Sequence, residues 1–304
     1  GYFVAFLISL GGLAFNIGNI GGASMGLNIV FGIDTTTAAA ISGILGILLF
    51  ASPKMGGVLD NTAKVLGTVM LVLIGYVAFS TNPPVAEAAT HAIVPTNYPW
   101  LATITLIGGT VGGYITFSGG HRLIDAGITG REHLKDVRRA AFMGMSVDAI
   151  VRILLFLAVL GVVSMGFALD PKDPAGSAFL LGAGEIGHKL FGIVFFCAAL
   201  TSVVGAAYTS VSFLKTLFKV VERYEKLTIM AFIFVSTCIL IFIGKPATLL
   251  IVAGSVNGLI LPVTLAVMLL ATRKSNIVGD YKHNPVLFYT GWIVVLVTAY
   301  IGVT

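Results

Sequence analysis

The chain has 304 residues, of which 57% are hydrophobic and only 10% charged, and its mean hydropathy is +1.00. A soluble domain carries roughly 25% charged residues, so this composition excludes most soluble enzymes and nucleic-acid readers and places the chain in a bilayer. The net charge of +5 then reads as an orientation signal rather than a nucleic-acid footprint, because basic residues are held on the cytoplasmic side of a membrane.

A helix that crosses the hydrocarbon core needs about 20 mostly apolar residues. Nine runs with few or no charges qualify: Gly1 to Ile33, Thr36 to Ala51, Val65 to Ser80, Trp100 to Ala126, Ala140 to Met165, Leu190 to Leu214, Leu227 to Gly244, Ala247 to Ala271 and Val286 to Val303. None shows the alternation over about ten residues that marks a barrel strand. The expected fold is therefore all-α and polytopic, with about nine transmembrane helices in a single transmembrane domain over residues 1–304. The longest connections, Thr81 to Pro99 and Phe167 to Ile186, contain proline and few charges and read as lids or surface loops. Cys197 and Cys238 lie in apolar runs and read as small buried hydrophobes rather than a disulfide.

Alternate loops divide the basic residues unequally. Lys54 and Lys64; Arg122, Arg131, Lys135, Arg138 and Arg139; Lys215, Lys219, Arg223 and Lys226; and Arg273, Lys274 and Lys282 fall on one side, against Lys172, Lys189 and Lys245 on the other. This bias predicts a cytoplasmic N-terminus and an external C-terminus.

The first span carries a stripe of small residues, Ala14, Gly18, Gly22 and Gly26, at the spacing of a helix-packing face. Asn16 and Asn19 lie three apart on one side of it. Bonding to a neighbouring helix and lining a pathway are both open readings for them. The fourth span is different in kind. Between Gly108 and Gly120 glycine occurs in three adjacent pairs, Gly108-Gly109, Gly112-Gly113 and Gly119-Gly120. Packing asks for glycines at spacing four, whereas adjacent pairs suit unwinding. An unwound segment frees backbone carbonyls at mid-membrane, where only protein, water or a ligand can satisfy them. Carbonyls are hard oxygen ligands for a cation, so a cation site is expected near Gly109 to Tyr114.

Ionisable residues inside spans are few. Asp148 and Arg152 lie four apart on the fifth span and are expected to pair with each other. His121 sits at the end of the interrupted span, where it is either an interfacial histidine or a proton relay. Asn257 follows Gly254 in the eighth span, ahead of Pro262, and either faces the same cavity or bonds within the bundle.

These residues resemble the natural resistance-associated macrophage protein (NRAMP) metal transporters. Gly26-Leu27-Asn28-Ile29-Val30-Phe31-Gly32-Ile33 is similar to the end of that family's third helix, Gly108 to Gly120 to its broken sixth, Val147-Asp148 to the start of its seventh, and Leu261-Pro262 to part of its tenth. The resemblance implies a partial inverted-repeat fold of the amino-acid/sodium symporter kind, covering helices three to eleven. The first two family helices, with a D-P-G-N metal-binding motif, would then lie outside this sequence, which opens on Gly1 and looks like a fragment or processed chain.

Departures from the family pattern shape the expected function. The family's sixth helix has M-P-H after a Thr-Val pair, whereas here Thr110-Val111 is followed by Gly112-Gly113-Tyr114. Loss of the soft thioether favours a hard, hydrated ion, a change resembling that of the NRAMP-related magnesium transporters. Gly254 falls near a metal-facing glutamine of the family, and Asn16 and Asn19 replace an acidic pair on its proton route. The resemblance thus implies transport of a divalent cation, Mg2+ and/or Mn2+, by alternating access and without proton coupling. The expected pathway residues are Gly109, Gly112, Gly113, Tyr114, Thr116, Gly254 and Asn257, with Asn16, Asn19, His121, Asp148 and Arg152 at replaced proton-route or gate positions. The metal ion is cargo, with no cofactor. The setting is a bacterial plasma (inner) membrane, with lipid as neighbour, no nucleic-acid partner and a monomeric state. The alternatives are a sodium-coupled carrier of amino acids or other organic solutes, and a truncated membrane protein that does not transport. An enzyme is the least favoured class, since no Ser/His/Asp set, Cys/His cluster or H-E-x-x-H pattern is present.

Overall fold

The computed structural model describes residues 2–130, 132–215 and 217–303, with the side chains of residues 53–60, 63, 121, 122 and 125 outside the description. Every regular element among the described residues is a helix. In chain order these are α1 (Tyr2–Phe31), α2 (Thr35–Ala51), α3 (Pro53–Ser80), α4 (Val85–Ile93), α5 (Trp100–Val111), α6 (Ile115–Asp125) and α7 (Leu134–Ser164). There follow α8 (Pro174–Lys215), α9 (Lys219–Arg223), α10 (Glu225–Ile243), α11 (Pro246–Ala271), α12 (Ser275–Val278) and α13 (Pro285–Val303).

Each of the nine apolar runs coincides with one helix, or with the broken pair α5–α6. Among the described residues seven segments are long and apolar enough to cross a membrane, and the bent pair Lys64–Ser80 and Val85–Ile93 makes up to eight. α2, with 17 residues, is shorter. The chain is thus a polytopic helical membrane protein.

Two connections differ from expectation. Thr81 to Pro99 contains α4, which leaves α3 at a bend of 102°. Phe167 to Ile186 contains the start of α8, which begins at Pro174. Proline suits the first turn of a helix, where its missing N–H costs nothing. The Asp173 carboxylate accepts the Gly176 N–H at 3.0 Å, so a local cap starts this helix well before the apolar run. α8 then kinks at Gly184, where φ is +67° and ψ −169°, a conformation open to glycine. Both cysteines are free and half-buried rather than fully buried.

The chain forms two compact units: residues 1–21, 99–127 and 202–304, and residues 22–98 and 128–201. In the second, Phe179 stacks on Phe191 at 4.5 Å and Phe191 on Phe195 at 5.3 Å, over Ile74, Val77, Ala158 and Val162. Gly26 admits the backbone of Phe196, 2.6 Å from where a Cβ would stand. Lys189 closes the end of α1, its Nζ donating to the Ile29 and Val30 carbonyls at 3.0 and 2.7 Å.

In the first unit α11 packs against α5, α6 and α13. Its seam with α5 is built from glycine: a Cβ on Gly108 would strike the backbone of Gly254 and Gly258, and one on Gly258 the carbonyl of Ile104. Such contacts let two helix backbones approach closely where the hydrophobic effect offers no drive between helices. Gly18 of α1, one of the small residues expected from sequence to form a packing face, meets Ala253 at close range.

Candidate functional site

The interrupted span breaks over Gly112, Gly113 and Tyr114, all buried, while Gly109 remains in α5 and Thr116 lies in α6. The break is therefore shorter than the glycine-rich stretch. Only the middle glycine pair opens the helix; Gly108 belongs to the packing seam, and Gly119 and Gly120 are helical. Gly112 takes φ +65° and ψ 99°, where a side chain is strained. Gly113 has a different constraint, since a Cβ there would stand 2.5 Å from the Asn257 carbonyl and 2.6 Å from the Leu261 nitrogen.

In an unbroken helix the N–H groups of Gly113, Tyr114 and Ile115 would bond the carbonyls of Gly109, Thr110 and Val111. Here they turn elsewhere. Gly113 donates to the Asn257 carbonyl at 3.2 Å, Tyr114 to Asn257 Oδ1 at 3.3 Å, and Ile115 to the Gly112 carbonyl at 3.0 Å. Three consecutive carbonyls thereby lose their helical donors, and Gly109, Thr110 and Val111 are all exposed. The chemistry this offers is a set of hard oxygen donors at the end of α5, next to a buried break.

Asn257 holds the break in place. It is fully buried, and its Nδ2 donates to the Gly11 and Ala253 carbonyls, each at 3.0 Å. Both ends of its amide, together with its own carbonyl, are thus engaged with α1, α11 and the break. The Thr264 hydroxyl, also fully buried, lies 3.0 Å from the Gly113 carbonyl and 3.5 Å from Thr116 Oγ1. Tyr114 is buried with its ring 5.5 Å from that of Phe15, against the space left by Gly11 and Gly12.

The structure brings Gly112, Gly113, Tyr114, Thr116 and Asn257 together around the break. Gly254 sits on the same helix as Asn257 but faces α5, where a Cβ would lie 2.7 Å from the Thr105 carbonyl. Asn16 is fully buried, and its Nδ2 donates to Ser236 Oγ at 3.2 Å. The Ser236 hydroxyl gives its own proton to the Phe232 carbonyl at 2.8 Å, so it can only accept from Asn16, which fixes that amide's orientation. Asn16 Oδ1 and Asn19 Nδ2 have no partner among the described residues.

Asp148 and Arg152 pair as expected, at 2.8 Å from Nε to Oδ2, on α7 in the second unit. They lie half-exposed. The side chain of His121 lies outside the described residues. Among the described residues no group of three His, Cys, Asp or Glu could hold a metal ion, so backbone carbonyls are the hard donors gathered at the break. Sequence reasoning missed Thr264, Ser236 and Gly11. Their roles depend on contacts across 220 to 246 positions of sequence for Ser236 and Gly11, which no local pattern encodes. Thr264 follows Pro262 by two residues in an apolar helix, a weak local signal of a bent, polar segment.

Residues 1–304 match the family model described as natural resistance-associated macrophage protein-like. A Haemophilus influenzae protein called an uncharacterized membrane protein is 52% identical over 299 residues, 98% of this chain and 75% of the relative. The Bacillus subtilis uncharacterized membrane protein YcsG is 51% identical over 303 residues, 100% of this chain and 75% of the relative. The fold is similar to two mutant crystal structures of an Eremococcus coleocola manganese transporter, at TM-scores of 0.65 and 0.63. Each is 16% identical and matches 99% of this chain and 70% of the other.

Proposed function

Since the chain belongs to the natural resistance-associated macrophage protein-like family, we propose that it carries a divalent metal cation across the membrane by alternating access. The observation that carries this reading is the row of carbonyls at Gly109, Thr110 and Val111, stripped of their helical donors by the break. A mid-membrane carbonyl needs a partner, and a hard cation supplies one. The name of the structurally similar protein, a manganese transporter, supports metal as cargo.

Mg2+ and Mn2+ are the proposed substrates. Gly112 stands where the family pattern has methionine, so that position offers no thioether, and hard or hydrated ions are favoured. Uptake is proposed to run without protons, because Asn16 and Asn19 cannot titrate where the family pattern has an acidic pair. The chain is read as one transport domain with an N-terminus in the cytoplasm and a C-terminus outside, in a bacterial plasma membrane, acting as a monomer. The sided distribution of basic residues supports that orientation.

Reconstitution into liposomes with a metal-sensitive dye and a pH-sensitive dye inside tests the proposal. Mg2+ and Mn2+ entry without acidification is the expected result. Metal-dependent acidification overturns the uncoupled mechanism, and amino-acid uptake with no metal entry overturns the cation carrier itself.

A further inference from the structure

We propose that the first two turns of α7 form a binding site for the headgroup of an anionic phospholipid. Lys135, Arg138, Arg139 and Phe142 recur at the three- and four-residue spacing that places them on one helix face. Together with Leu134 they line a groove of about 470 Å³. All five are exposed. Lys135, Arg138 and Arg139 form no ion pair among the described residues. The nearest acidic residue in sequence, Asp136, lies on the same turn yet is not bonded to them. Three cations thus converge on one groove with no carboxylate among the described residues paired to them.

The length of α7 sets the depth of this groove. The helix has 31 residues, and crossing the hydrocarbon takes about 20. About eleven residues therefore project beyond the core at one end or are shared between both. The apolar residues fill the C-terminal part of the helix, so the projecting end is the one that carries Lys135, Arg138 and Arg139, at headgroup level. Phe142, 63% exposed, and then Met145 and Ile153 continue the same side toward the core with large exposed apolar side chains. A phosphate at the cations and an acyl chain along Phe142 match this arrangement of charge above apolar surface. Arginine suits it further, since its planar fork takes phosphate oxygens in pairs. The N-terminal end of a helix also favours an anion.

The test measures thermal stability of the detergent-solubilised protein during titration with phosphatidylglycerol, phosphatidylcholine or inorganic phosphate. Phosphatidylglycerol is expected to raise the Tm of the wild type, with no such effect from the other two. The triple variant Lys135→Gln, Arg138→Gln, Arg139→Gln is expected to bind phosphatidylglycerol about a hundredfold more weakly. A control triple, Lys219→Gln, Lys226→Gln, Lys274→Gln, removes the same charge elsewhere and is expected to keep wild-type affinity. Equal loss in the control would reduce the effect to bulk charge and overturn the site, as would an equal response to inorganic phosphate or to phosphatidylcholine. All substituted side chains are exposed, so both variants retain their packing.

Discussion

Asn257 stands in for the helix backbone at Tyr114. Its side-chain oxygen takes the Tyr114 N–H at 3.3 Å and its own carbonyl takes the Gly113 N–H at 3.2 Å. One residue of α11 thus replaces two acceptors that an intact helix would have supplied, and the break persists without burying unpaired N–H groups.

Replacing Asn257 by Leu should therefore collapse the break rather than merely weaken binding. The substitution removes the side-chain acceptor of the buried Tyr114 N–H, a loss of about 1–3 kcal/mol, and takes away the second bond that the Gly11 carbonyl accepts beside its own helical donor. A drop in Tm with loss of metal uptake is expected. Asn257→Asp keeps the acceptor but removes the donor to Gly11 and Ala253, and should also lose stability. A fully active Asn257→Leu variant would show that the break holds itself open.

Gly113→Ala and Gly112→Ala should differ in kind. At Gly113 a methyl group meets the Asn257 carbonyl and the Leu261 nitrogen, both backbone atoms that cannot swing aside, so the variant should lose uptake and stability together. At Gly112 a methyl group meets only ordinary contacts, the nearest atoms 3.6 Å away, and the obstacle is φ +65°, for which about 1–2 kcal/mol is expected. The two glycines can be ranked by Tm, with Gly113→Ala the lower.

The same backbone bears on selectivity. Gly112→Met should shift uptake toward Mn2+ or Cd2+ relative to Mg2+, because a thioether prefers softer ions. The positive φ means the gain comes with lower stability. Competition uptake in liposomes reads the ratio directly. An unchanged ratio in a folded, active variant would remove Gly112 from the ion's path.

Most of the helical plan is legible in the sequence because a bilayer imposes a continuous apolar run on every crossing helix. The broken span is legible too, since adjacent glycines weaken a helix locally while the apolar run around them keeps the segment in the membrane. What stays hidden is set by distant contacts. Gly108 reads from sequence as part of the unwinding and instead admits α11, while Gly254 reads as a pathway position and faces Thr105. Asn257 has two open readings in sequence, and the structure shows it saturated with hydrogen bonds, a positioning residue for the break. The start of α8 is hidden because its helix begins with a cap at Asp173 and not with apolar periodicity.

Lys189→Gln should loosen the end of α1. The ammonium donates to two carbonyls at that helix C-terminus, where a cation also meets the negative end of the helix dipole; the combined effect is about 0.3–1 kcal/mol. Faster hydrogen exchange confined to the last turn of α1 is the expected result. Because the neutral amide is shorter and uncharged, Lys189→Arg should restore protection where Gln does not.

Two carboxylates outside the spans should give opposite responses to pH. Burial, the largest cause, pushes Asp173 above its ordinary value of 3.8, against the pull of the Gly176 N–H and of His188. A raised carboxyl holds its proton more tightly when folded, so its contribution is full below 3.8 and is lost as pH rises through the folded value. Asp34 is shifted the other way, chiefly by the Thr37 N–H that it caps at 2.9 Å. Its contribution is full above 3.8 and is lost as pH falls through the folded value. Hydrogen exchange, corrected for intrinsic rates, should therefore show protection at Gly176 falling and protection at Thr37 rising as pH increases through the acidic range. Asp173→Asn should flatten the first trend, because a carboxamide oxygen still accepts the Gly176 N–H but does not titrate. His188→Gln removes the imidazole that stands 3.9 Å from Asp173 and pulls against burial. Parallel trends at the two helix starts in that variant would show that burial does not govern Asp173.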